Sequence, residues 1–286
     1  MKTFGFISVN NTYETRKIAE EAKNLYDRFI HIDINKISAI LSKDNSVQIF
    51  YDNEPVFFNT ILTRSVKGIN KNKLFPVLRT LQLSGSYLVD PISRFENKGG
   101  KLYTSIKRFE NSIGPNTYFA FGKRNLLALL EKINYPIIIK PIGGSHSRGI
   151  KRIKDVNEGR EKLNILFEEG YKSIFIQEKI HIGTEYRVFT LDDEVLHTSR
   201  RLRPSMRGED GEHFGEIDNS RLERLKSFIK EEVKPKGLYG FDIVKIHSQD
   251  RYTVVEGNRA PEFEANDRIF NINIAKSIIE KLYERR

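Results

Sequence analysis

Three oxygen-bearing side chains near the C-terminus stand where buried strands would normally carry apolar residues. The segment YTVVEGNRAPEFEA, residues 252–265, begins as a buried strand and then carries Glu256 and Asn258, two positions apart. The apolar segment GFDIVKI, which contains Asp242, precedes it. Only HSQD lies between GFDIVKI and RYTVVEGN, so the sequence predicts a β-hairpin.

The predicted hairpin brings these three side chains together. If residues 248–250 form the loop, Asp242 lies directly opposite Glu256, and alternation keeps Asn258 on the same face. Two carboxylates that face each other destabilise a sheet unless a cation lies between them. Magnesium binds one or two carboxylates together with substrate phosphates. The spacing therefore indicates a magnesium site.

Two alternatives to a metal site stay open for this hairpin at the level of sequence. One carboxylate could pair with Lys245 or with Arg259 instead of a metal. A register shift of one residue would also place Asp242 and Glu256 on opposite faces. Spacing alone does not choose between the metal site and a salt bridge.

A lysine followed by a glycine-containing loop forms a second candidate site. The segment IIIKPIGGSHSRGI, residues 137–150, is a buried strand that carries Lys140 and then turns polar. Glycines let backbone N–H groups approach an anion, and hydroxyl and guanidinium groups add donors. The candidate donors are Gly143, Gly144, Ser145, Ser147, Arg148 and Gly149. The segment predicts phosphate binding, with a hairpin turn as the alternative, and it matches neither GxxxxGK[ST] nor GxGxxG.

Arginines are concentrated in the strands and the loop that follow. They are Arg187, Arg200, Arg201, Arg203 and Arg207. The planar guanidinium suits carboxylate and phosphate, whereas a solvated sheet face is the alternative for Arg201 and Arg203. The polar loop SMRGEDGEHFGE, residues 205–216, is of the kind that covers active sites. No two histidines have metal-ligand spacing, so we expect all six to be surface residues or hydrogen-bonded.

Composition limits the class of protein. The chain has 286 residues, of which 38% are hydrophobic and 30% charged, as in soluble globular proteins. Its lack of cysteine excludes disulfides, thiolate catalysis and cysteine–zinc sites. No apolar run approaches the ~20 residues of a membrane span, and no signal peptide is evident, so we expect a cytoplasmic protein without a membrane partner. The net charge of +10 favours polyanionic partners, although a lysine-rich solubility coat is the simpler explanation of the charge alone.

The predicted elements indicate an α/β protein. A strand at residues 3–9, a helix from Glu14 to Phe29 and further strands in RFIHIDI and NTILTRSV resemble half of a doubly wound sheet. Hydrophobic periodicity predicts later helices, and short apolar runs predict the strands between them. These helices cover residues 101–111, 123–132, 220–233 and 272–283. The strands lie in YPIIIKP, SIFIQEKI, TEYRVFTL, VLHTSRRL, GFDIVKI and RYTVVEGN.

Taken in order, these motifs resemble those of the ATP-grasp carboxylate–amine ligases. The similarity runs from about Asn59 to the C-terminus and is greatest to RimK-type glutamate ligases and to carrier-protein ligases of lysine biosynthesis. It implies an ATP-grasp fold in three parts. These are an N-terminal doubly wound-type sheet domain (1–92), a small central lid (93–172) and a C-terminal antiparallel-sheet domain with the metal site (173–286). Gly100 before Lys101 and the segment 203–216 depart from the family pattern.

The resemblance also implies a role for each candidate residue. Lys101 and Lys140 would hold the ATP phosphates, with the 143–149 loop closing over them. The adenine and ribose contacts would be the side chains of Gln177 and Glu178, the backbone of Lys179 and Ile180, and Glu185. Asp242, Glu256 and Asn258 would bind two Mg²⁺ ions, for which Mn²⁺ can substitute. Arg187 and Arg200 would stabilise the transferred phosphoryl group, and Arg201, Arg207 and Arg259 are candidate substrate contacts.

The implied activity is ATP-dependent formation of a carbon–nitrogen bond. A carboxylate would be phosphorylated, and an amine would then attack the acyl phosphate to give an amide, ADP and phosphate. We expect the amine to belong to an amino acid and the carboxylate to an acidic peptide, a carrier protein or a small glutamate-like acid. A homodimer or homotetramer is expected. The alternatives are an ATP-grasp phosphotransferase and a basic nucleic-acid-binding protein.

Overall fold

The computed structural model describes most of the chain. The described residues are 1–66, 68–93, 100–110, 113–141, 151–171, 173–179, 182–202, 214–246 and 251–285. Among them, no helix combines the length and the apolar character that a membrane span requires.

Short strands and helices alternate along the described residues. The strands are β1 (Thr3–Ile7), β2 (Arg28–His31), β3 (Ile37–Leu41), β4 (Val47–Tyr51), β5 (Glu54–Pro55), β6 (Thr60–Thr63), β7 (Tyr87–Leu88), β8 (Thr117–Phe119), β9 (Ile137–Pro141), β10 (Lys151–Ile153), β11 (Ile174–Glu178), β12 (Ile182–Leu191), β13 (Glu194–Arg201), β14 (Phe214–Gly215), β15 (Leu238–Ile246) and β16 (Arg251–Asn258). The α-helices are α1 (Tyr13–Leu25), α2 (Lys71–Leu83), α3 (Gly100–Glu110), α4 (Lys123–Leu130), α5 (Val156–Glu168), α6 (Asn219–Phe228), α7 (Glu264–Phe270) and α8 (Ile274–Glu284). A 3₁₀ turn, Ile34–Lys36, and a π-helical turn, Ile229–Val233, complete the set.

The chain divides into two compact units. The first contains Met1–Asn97, Tyr186–Phe241 and Gly257–Arg286, and the second contains Lys98–Glu185 and Asp242–Glu256. Each crossing from one unit to the other after Glu185 falls inside β12, β15 or β16. The three-part division expected from the sequence stays a prediction.

The N-terminal part of the first unit is built on a parallel sheet. The strand order is β2-β1-β6-β7, and the three pairings are all parallel. All five residues of β1 are buried, as expected for a parallel strand covered on both faces. α1 begins at a capping box formed by Thr12 and Thr15 and buries Ile18 and Ala22. The predicted strand–helix–strand opening is therefore confirmed, whereas the antiparallel sheet β3-β4-β5 was not predicted.

A large apolar cluster stabilises the first unit. It joins β1 and α1 with residues of β12, β15 and α8, and Phe4, Phe189, Leu238 and Ile278 are among its buried members. The predicted C-terminal helix supplies much of it, since α8 buries five apolar side chains along one stripe. These are Ile274, Ala275, Ile278, Ile279 and Leu282. Asn273 caps α8 by accepting the backbone N–H of Lys276.

The second unit has its own sheet and core. Its strand order is β10-β9-β11-β8, with antiparallel pairing throughout. The register pairs Phe175 with Lys140 and Ile176 with Ile139. Residues of α4 and α5 close a core that contains Leu126, Leu163 and Leu166. The second unit therefore presents β9 and β11 side by side, each carrying a predicted nucleotide-binding residue.

A five-stranded sheet carries the remaining candidate residues. Its order is β14-β13-β12-β15-β16, so the two strands predicted to form a hairpin are neighbours. α6 begins at Asp218, whose carboxylate accepts the backbone N–H of Arg221. The helical path continues through the π-helical turn and ends at Lys234 in a left-handed conformation, one residue before Pro235. The predicted helix at 220–233 is thus present in two pieces.

We expect Leu163→Ala to lower the free energy of unfolding by about 2–5 kcal/mol, because it leaves a cavity in the core of the second unit. Leu163 is fully buried, whereas Leu83 at the end of α2 is 51% exposed. Leu83→Ala is the matched control and should change stability by less than about 0.5 kcal/mol. Urea denaturation followed by circular dichroism measures both, and equal losses would contradict the described core.

Candidate active site

Alternation in β16 is visible in the packing of Gly257. A Cβ placed on Gly257 would lie 3.0 Å from Cε1 of Phe241, so this face of the strand has no room for a side chain. The Phe241 ring is itself stacked on Tyr239, with centroids 5.0 Å apart. Glu256 and Asn258 flank Gly257 and therefore lie on the opposite face of β16. Both are exposed, as ligands for an external group must be.

Asp242 follows Phe241 in the neighbouring strand. Alternation directs its side chain away from the Phe241 face, which is the face of Glu256 and Asn258. Asp242 is 8% exposed, a low value for a carboxylate. The direct pairing of Asp242 with Glu256 stays a prediction, but the arrangement of the two strands is the one it requires.

The chemistry of this donor set fits magnesium bound together with phosphate. Two carboxylates and an amide offer only oxygen atoms, which magnesium prefers. The structure describes no group of three or more His, Cys, Asp or Glu residues that could hold a metal by themselves. Two carboxylates match the way in which nucleotide enzymes bind magnesium, with phosphates and water completing its coordination.

An arginine that the sequence analysis did not identify lies beside this strand. Arg108, on α3, donates to the carbonyl oxygens of Val255 and Val254, the latter at 3.5 Å. Burial lowers the pKa of Arg108, and the nearby Glu256 carboxylate opposes that shift. The guanidinium of Arg108 thus supplies a positive charge near the Glu256 carboxylate. From sequence alone, a charged residue on an amphipathic helix is expected to be exposed to solvent. No local pattern therefore indicated the contact between Arg108 and β16.

In the second unit, Lys140 belongs to a partly buried polar network. Its ammonium donates to Oε1 of Gln177 at 2.5 Å. The amide nitrogen of Gln177 donates in turn to Ser105 Oγ at 3.2 Å and to Thr117 Oγ1 at 3.0 Å. Gln177 is almost completely buried. Its side chain therefore positions Lys140, and the adenine contact expected for Gln177 stays a prediction.

Backbone hydrogen bonds limit which atoms of Glu178 and Lys179 could contact adenine. The N–H of Glu178 donates to the carbonyl of Asn116 at 2.9 Å, and the N–H of Lys179 donates to that of Pro136 at 3.0 Å. Any adenine contact from the Lys179 backbone would therefore use its carbonyl oxygen. The Glu178 side chain is exposed at the end of β11. Burial, together with the Glu178 charge, raises the pKa of Tyr118.

The remaining nucleotide-binding predictions are less fully described. Lys101 lies in the first turn of α3, and Glu185 is half-buried in β12. Several predicted residues lie outside the described residues, namely Gly143, Gly144, Ser145, Ser147, Arg148, Gly149, Ile180, Arg203 and Arg207. Their roles stay predictions.

The first unit contains a cleft of about 590 Å³ with two of the predicted arginines in its wall. Arg187 of β12 and Arg201 of β13 line it, and the Arg187 guanidinium lies 6.0 Å from the ring centre of Phe189. The other lining residues are Thr12, Tyr13, Glu14, Phe214, Glu262, Glu264, Ala265 and Asn266. The cleft thus combines two guanidinium groups with three carboxylates, which suits a ligand that carries both charges.

Arg200 does not line this cleft. It precedes Arg201 in β13, so alternation directs the two side chains to opposite faces, and it pairs with Gly215 in the register of β13 and β14. The described structure therefore groups Arg187 with Arg201, whereas the sequence analysis grouped Arg187 with Arg200. Catalytic roles for Arg187 and Arg200 stay predictions.

Hydrogen bonds between distant segments fix the wall of the cleft. The buried Glu14 carboxylate accepts the backbone N–H groups of Phe263 at 3.1 Å and of Glu264 at 3.4 Å. Tyr13 donates to the Asp267 carboxylate at 3.1 Å. Burial and, to a smaller extent, the charge of Asp267 raise the pKa of Tyr13 to about 12. These bonds join the start of α1 to α7. The sequence analysis missed them because it did not predict α7, a short helix with polar residues on its buried side.

One histidine is enclosed rather than exposed. His197 in β13 packs against Phe189 and Phe270, with ring centroids 6.3 Å and 5.1 Å away. Burial lowers its pKa from 6.5 to about 4, and a hydrogen bond with Asn266 partly opposes the shift. His197 is therefore neutral at physiological pH. Its ring supports Asn266 in the cleft wall.

Comparison with known proteins identifies the class from the fold. The solved structure of the ATP-grasp ligase PsnB complexed with a minimal precursor superimposes with a TM-score of 0.72 and 14% identity, covering 99% of each chain. That similarity shows an ATP-grasp fold. The sequence profile of the RimK-like ATP-grasp domain matches residues 106–282. The chain belongs to the RimK-like ATP-grasp family.

Two relatives match over most of their length. The glutamate–LysW ligase ArgX of Sulfurisphaera tokodaii is 26% identical over 273 residues, which cover 87% of this chain and 94% of the relative. The α-aminoadipate–LysW ligase LysX of Saccharolobus solfataricus is 24% identical over 286 residues, with coverages of 95% and 98%. The chain is thus an ATP-grasp ligase, and the phosphotransferase alternative is not favoured. Such ligases use ATP and magnesium, and a further PsnB structure is complexed with Mg and ADP.

The low pKa of His197 predicts a pH dependence of stability. Because its pKa falls from 6.5 to about 4 on folding, its contribution is fully present above about pH 6.5 and is lost as the pH falls towards 4. His197→Gln should therefore lose less stability between about pH 7 and about pH 4.5 than the wild type does. Urea denaturation at both pH values measures this, and identical pH dependence in the two proteins would contradict the buried, neutral histidine.

Proposed function

We propose that this RimK-like enzyme joins the amino group of an acidic amino acid to a carboxylate of an acidic carrier protein or peptide. A small glutamate-like acid is the alternative carboxylate substrate. The reaction consumes ATP and passes through an acyl phosphate. The observation that supports it best is that Asp242, in the middle of β15, and Glu256 and Asn258, at the end of β16, share the face opposite Phe241. One buried carboxylate and two exposed oxygen-bearing side chains beside a partly buried arginine suit the binding of a metal-bound nucleotide.

The chain supplies charge and positioning rather than a protein nucleophile. Phosphoryl transfer depends mainly on neutralising the phosphate oxygens and aligning the reactants. Magnesium held by Asp242, Glu256 and Asn258 would supply most of the neutralisation. Lys140, held by Gln177, and Lys101 would contact the phosphates. We propose two magnesium ions, with Mn²⁺ able to replace them.

The second step forms the amide. The lone pair of the amine attacks the acyl carbon, the bond from carbon to the phosphate oxygen breaks, and phosphate leaves while the amine loses a proton. The first-unit cleft is suited to hold the amine substrate. Arg187 and Arg201 match the carboxylates of an acidic amino acid, and Glu262 or Glu264 matches its ammonium group. The names of the relatives, which include glutamate and α-aminoadipate, support that substrate class.

The carboxylate partner follows from charge and from the relatives. A chain with a net charge of +10 attracts acidic polypeptides. The relatives act on the carrier protein LysW, and the PsnB structure contains a precursor. We propose an acidic polypeptide as the carboxylate substrate, a cytoplasmic location, and a homodimer or homotetramer. The family match gives no support to the nucleic-acid-binding hypothesis.

The metal assignment predicts that Glu256→Gln removes at least about 99% of turnover, because a carboxylate that binds metal and phosphate is lost. Glu168→Gln is the matched control, since Glu168 is exposed at the end of α5 in the same unit. ADP release in a coupled assay measures both variants. Near-normal turnover by Glu256→Gln would contradict the magnesium site.

The ligase assignment predicts a product that contains both substrates. The enzyme, ATP and Mg²⁺ should be screened against acidic peptides and amino acids, with mass spectrometry of the products. We expect a mass gain equal to one amino acid minus one water, with equal amounts of ADP and phosphate. A stable phosphorylated product formed without any amine would instead indicate a phosphotransferase.

A further inference from the structure

Two arginines, the buried Arg64 and the half-buried Arg108, donate to the backbone on either side of Glu256 and Asn258. Arg108, in the second unit, bonds the carbonyls of Val254 and Val255, just before these residues. Arg64, in the first unit, bonds the carbonyl of Arg259, just after them. No local pattern in the sequence predicted a role for either arginine. Their carbonyl partners are the nearest described residues on each side of the predicted metal ligands.

The burial of Arg64 needs an explanation. Arg64 follows β6 and is only 4% exposed. Its backbone N–H donates to the carbonyl oxygen of Ile7 at 2.8 Å, which fixes the residue at the carboxyl ends of the two central strands, β1 and β6. Burial lowers the pKa of its guanidinium to about 9, and no acid contributes to the shift. Among the described residues, its Nη2 atom has no hydrogen-bond partner.

The surrounding chain also encloses the Arg108 side chain closely. Its Nε is also buried without a hydrogen-bond partner among the described residues. A Cβ placed on Gly114 would lie 2.8 Å from Cβ of Arg108, so the chain after α3 folds closely over this side chain. Ile113, the first described residue after that helix, accepts the N–H of Val254 at 2.8 Å and the hydroxyl of Thr253 at 3.0 Å. α3, through Arg108, and the segment after it, through Ile113, are therefore both hydrogen-bonded to β16.

Burying an arginine side chain lowers the stability of the fold unless other interactions compensate for it. A buried guanidinium loses most of its hydration, and a well-packed apolar side chain at the same position is often more stabilising. A bond from a charged donor to a backbone carbonyl is strong and directional. Placed on both sides of a short strand end, two such bonds restrict the backbone that carries Glu256 and Asn258. Metal ligands need this kind of support, because small displacements weaken coordination.

We propose that Arg64 and Arg108 are positioning residues that hold the backbone on both sides of the metal ligands Glu256 and Asn258. The inference rests on the proposed function, since it concerns the proposed magnesium site. Arg108 has a second effect through its charge, because it lies near the Glu256 carboxylate. Arg64 acts on the backbone alone and does not share that effect.

The test is direct binding of Mn²⁺ in the presence of ADP, measured by the loss of the free-ion signal in electron paramagnetic resonance. Arg64→Met and Arg108→Met should each weaken Mn²⁺ binding by about 10–100-fold, the range typical of residues that orient metal ligands. Arg79→Met and Arg152→Met are the controls, because both arginines are exposed, one in each unit. These controls should bind Mn²⁺ as the wild type does.

Lysine variants separate positioning from folding. Lysine keeps the charge and can donate from its single nitrogen but lacks the planar fork, so Arg64→Lys and Arg108→Lys should bind Mn²⁺ with intermediate affinity. Thermal unfolding identifies any variant that fails to fold, and the lysine variants then decide. Lowered melting temperatures with wild-type Mn²⁺ affinity in the folded methionine or lysine variants would overturn the inference and leave a purely structural role.

The outcome for the wild type distinguishes the two proposals. If the wild-type enzyme binds no Mn²⁺ with ADP, the proposed metal site itself is wrong. If the wild type binds Mn²⁺, Glu256→Gln does not, and the arginine variants bind normally, only the positioning inference fails. Weakened binding in both arginine variants, with unchanged controls, supports both.

Discussion

The site depends on one constraint, which is that the end of β16 must carry two oxygen ligands out of a core strand without losing its position. Upstream, Thr253 and Val254 are buried and bonded to Ile113. Glu256 and Asn258 are exposed on the face opposite Phe241. The absence of a side chain at Gly257 lets the Phe241 ring cover the other face. The transition from core strand to ligand-bearing strand therefore takes place within a few residues.

In each unit, buried side chains hold the polar groups of the candidate site in place through hydrogen bonds. In the second unit, the amide of Gln177 fixes Lys140 and is itself fixed by Ser105 and Thr117. In the first unit, the Glu14 carboxylate accepts the backbone N–H groups of Phe263 and Glu264 at the start of α7. These bonds fix the wall of the arginine cleft. A site for a highly charged substrate needs rigid donors more than it needs reactive ones. Such chemistry is accessible to a chain without cysteine.

Local sequence patterns predicted the elements well where burial follows a simple period. The helix predicted at 123–132 is α4, Lys123–Leu130, and the hairpin predicted from HSQD brings β15 next to β16. The sheet β3-β4-β5 escaped prediction because most of its residues are half-buried or exposed, which leaves no clear alternation. α7 escaped because it is short and buries polar residues.

The supports of the site were harder to predict than its ligands. Asp242, Glu256 and Asn258 stand out because they interrupt apolar strands. Arg108 contacts a carbonyl 147 residues away, and Arg64 one that is 195 residues away, so neither contact leaves a local trace. The family resemblance implied an adenine contact for Gln177, and that role stays a prediction. Its burial and its hydrogen bond to Lys140, which only the fold reveals, also make it a support for that lysine.

The central claim is that Asp242, Glu256 and Asn258 hold the metal that accompanies the nucleotide. A crystal structure of the enzyme with ADP and Mn²⁺, with an anomalous difference map at the manganese edge, tests it most directly. We predict a manganese peak about 2.0–2.5 Å from an oxygen atom of at least two of the three side chains. A fully occupied peak bound elsewhere, with these three residues contacting only protein or water, would contradict it.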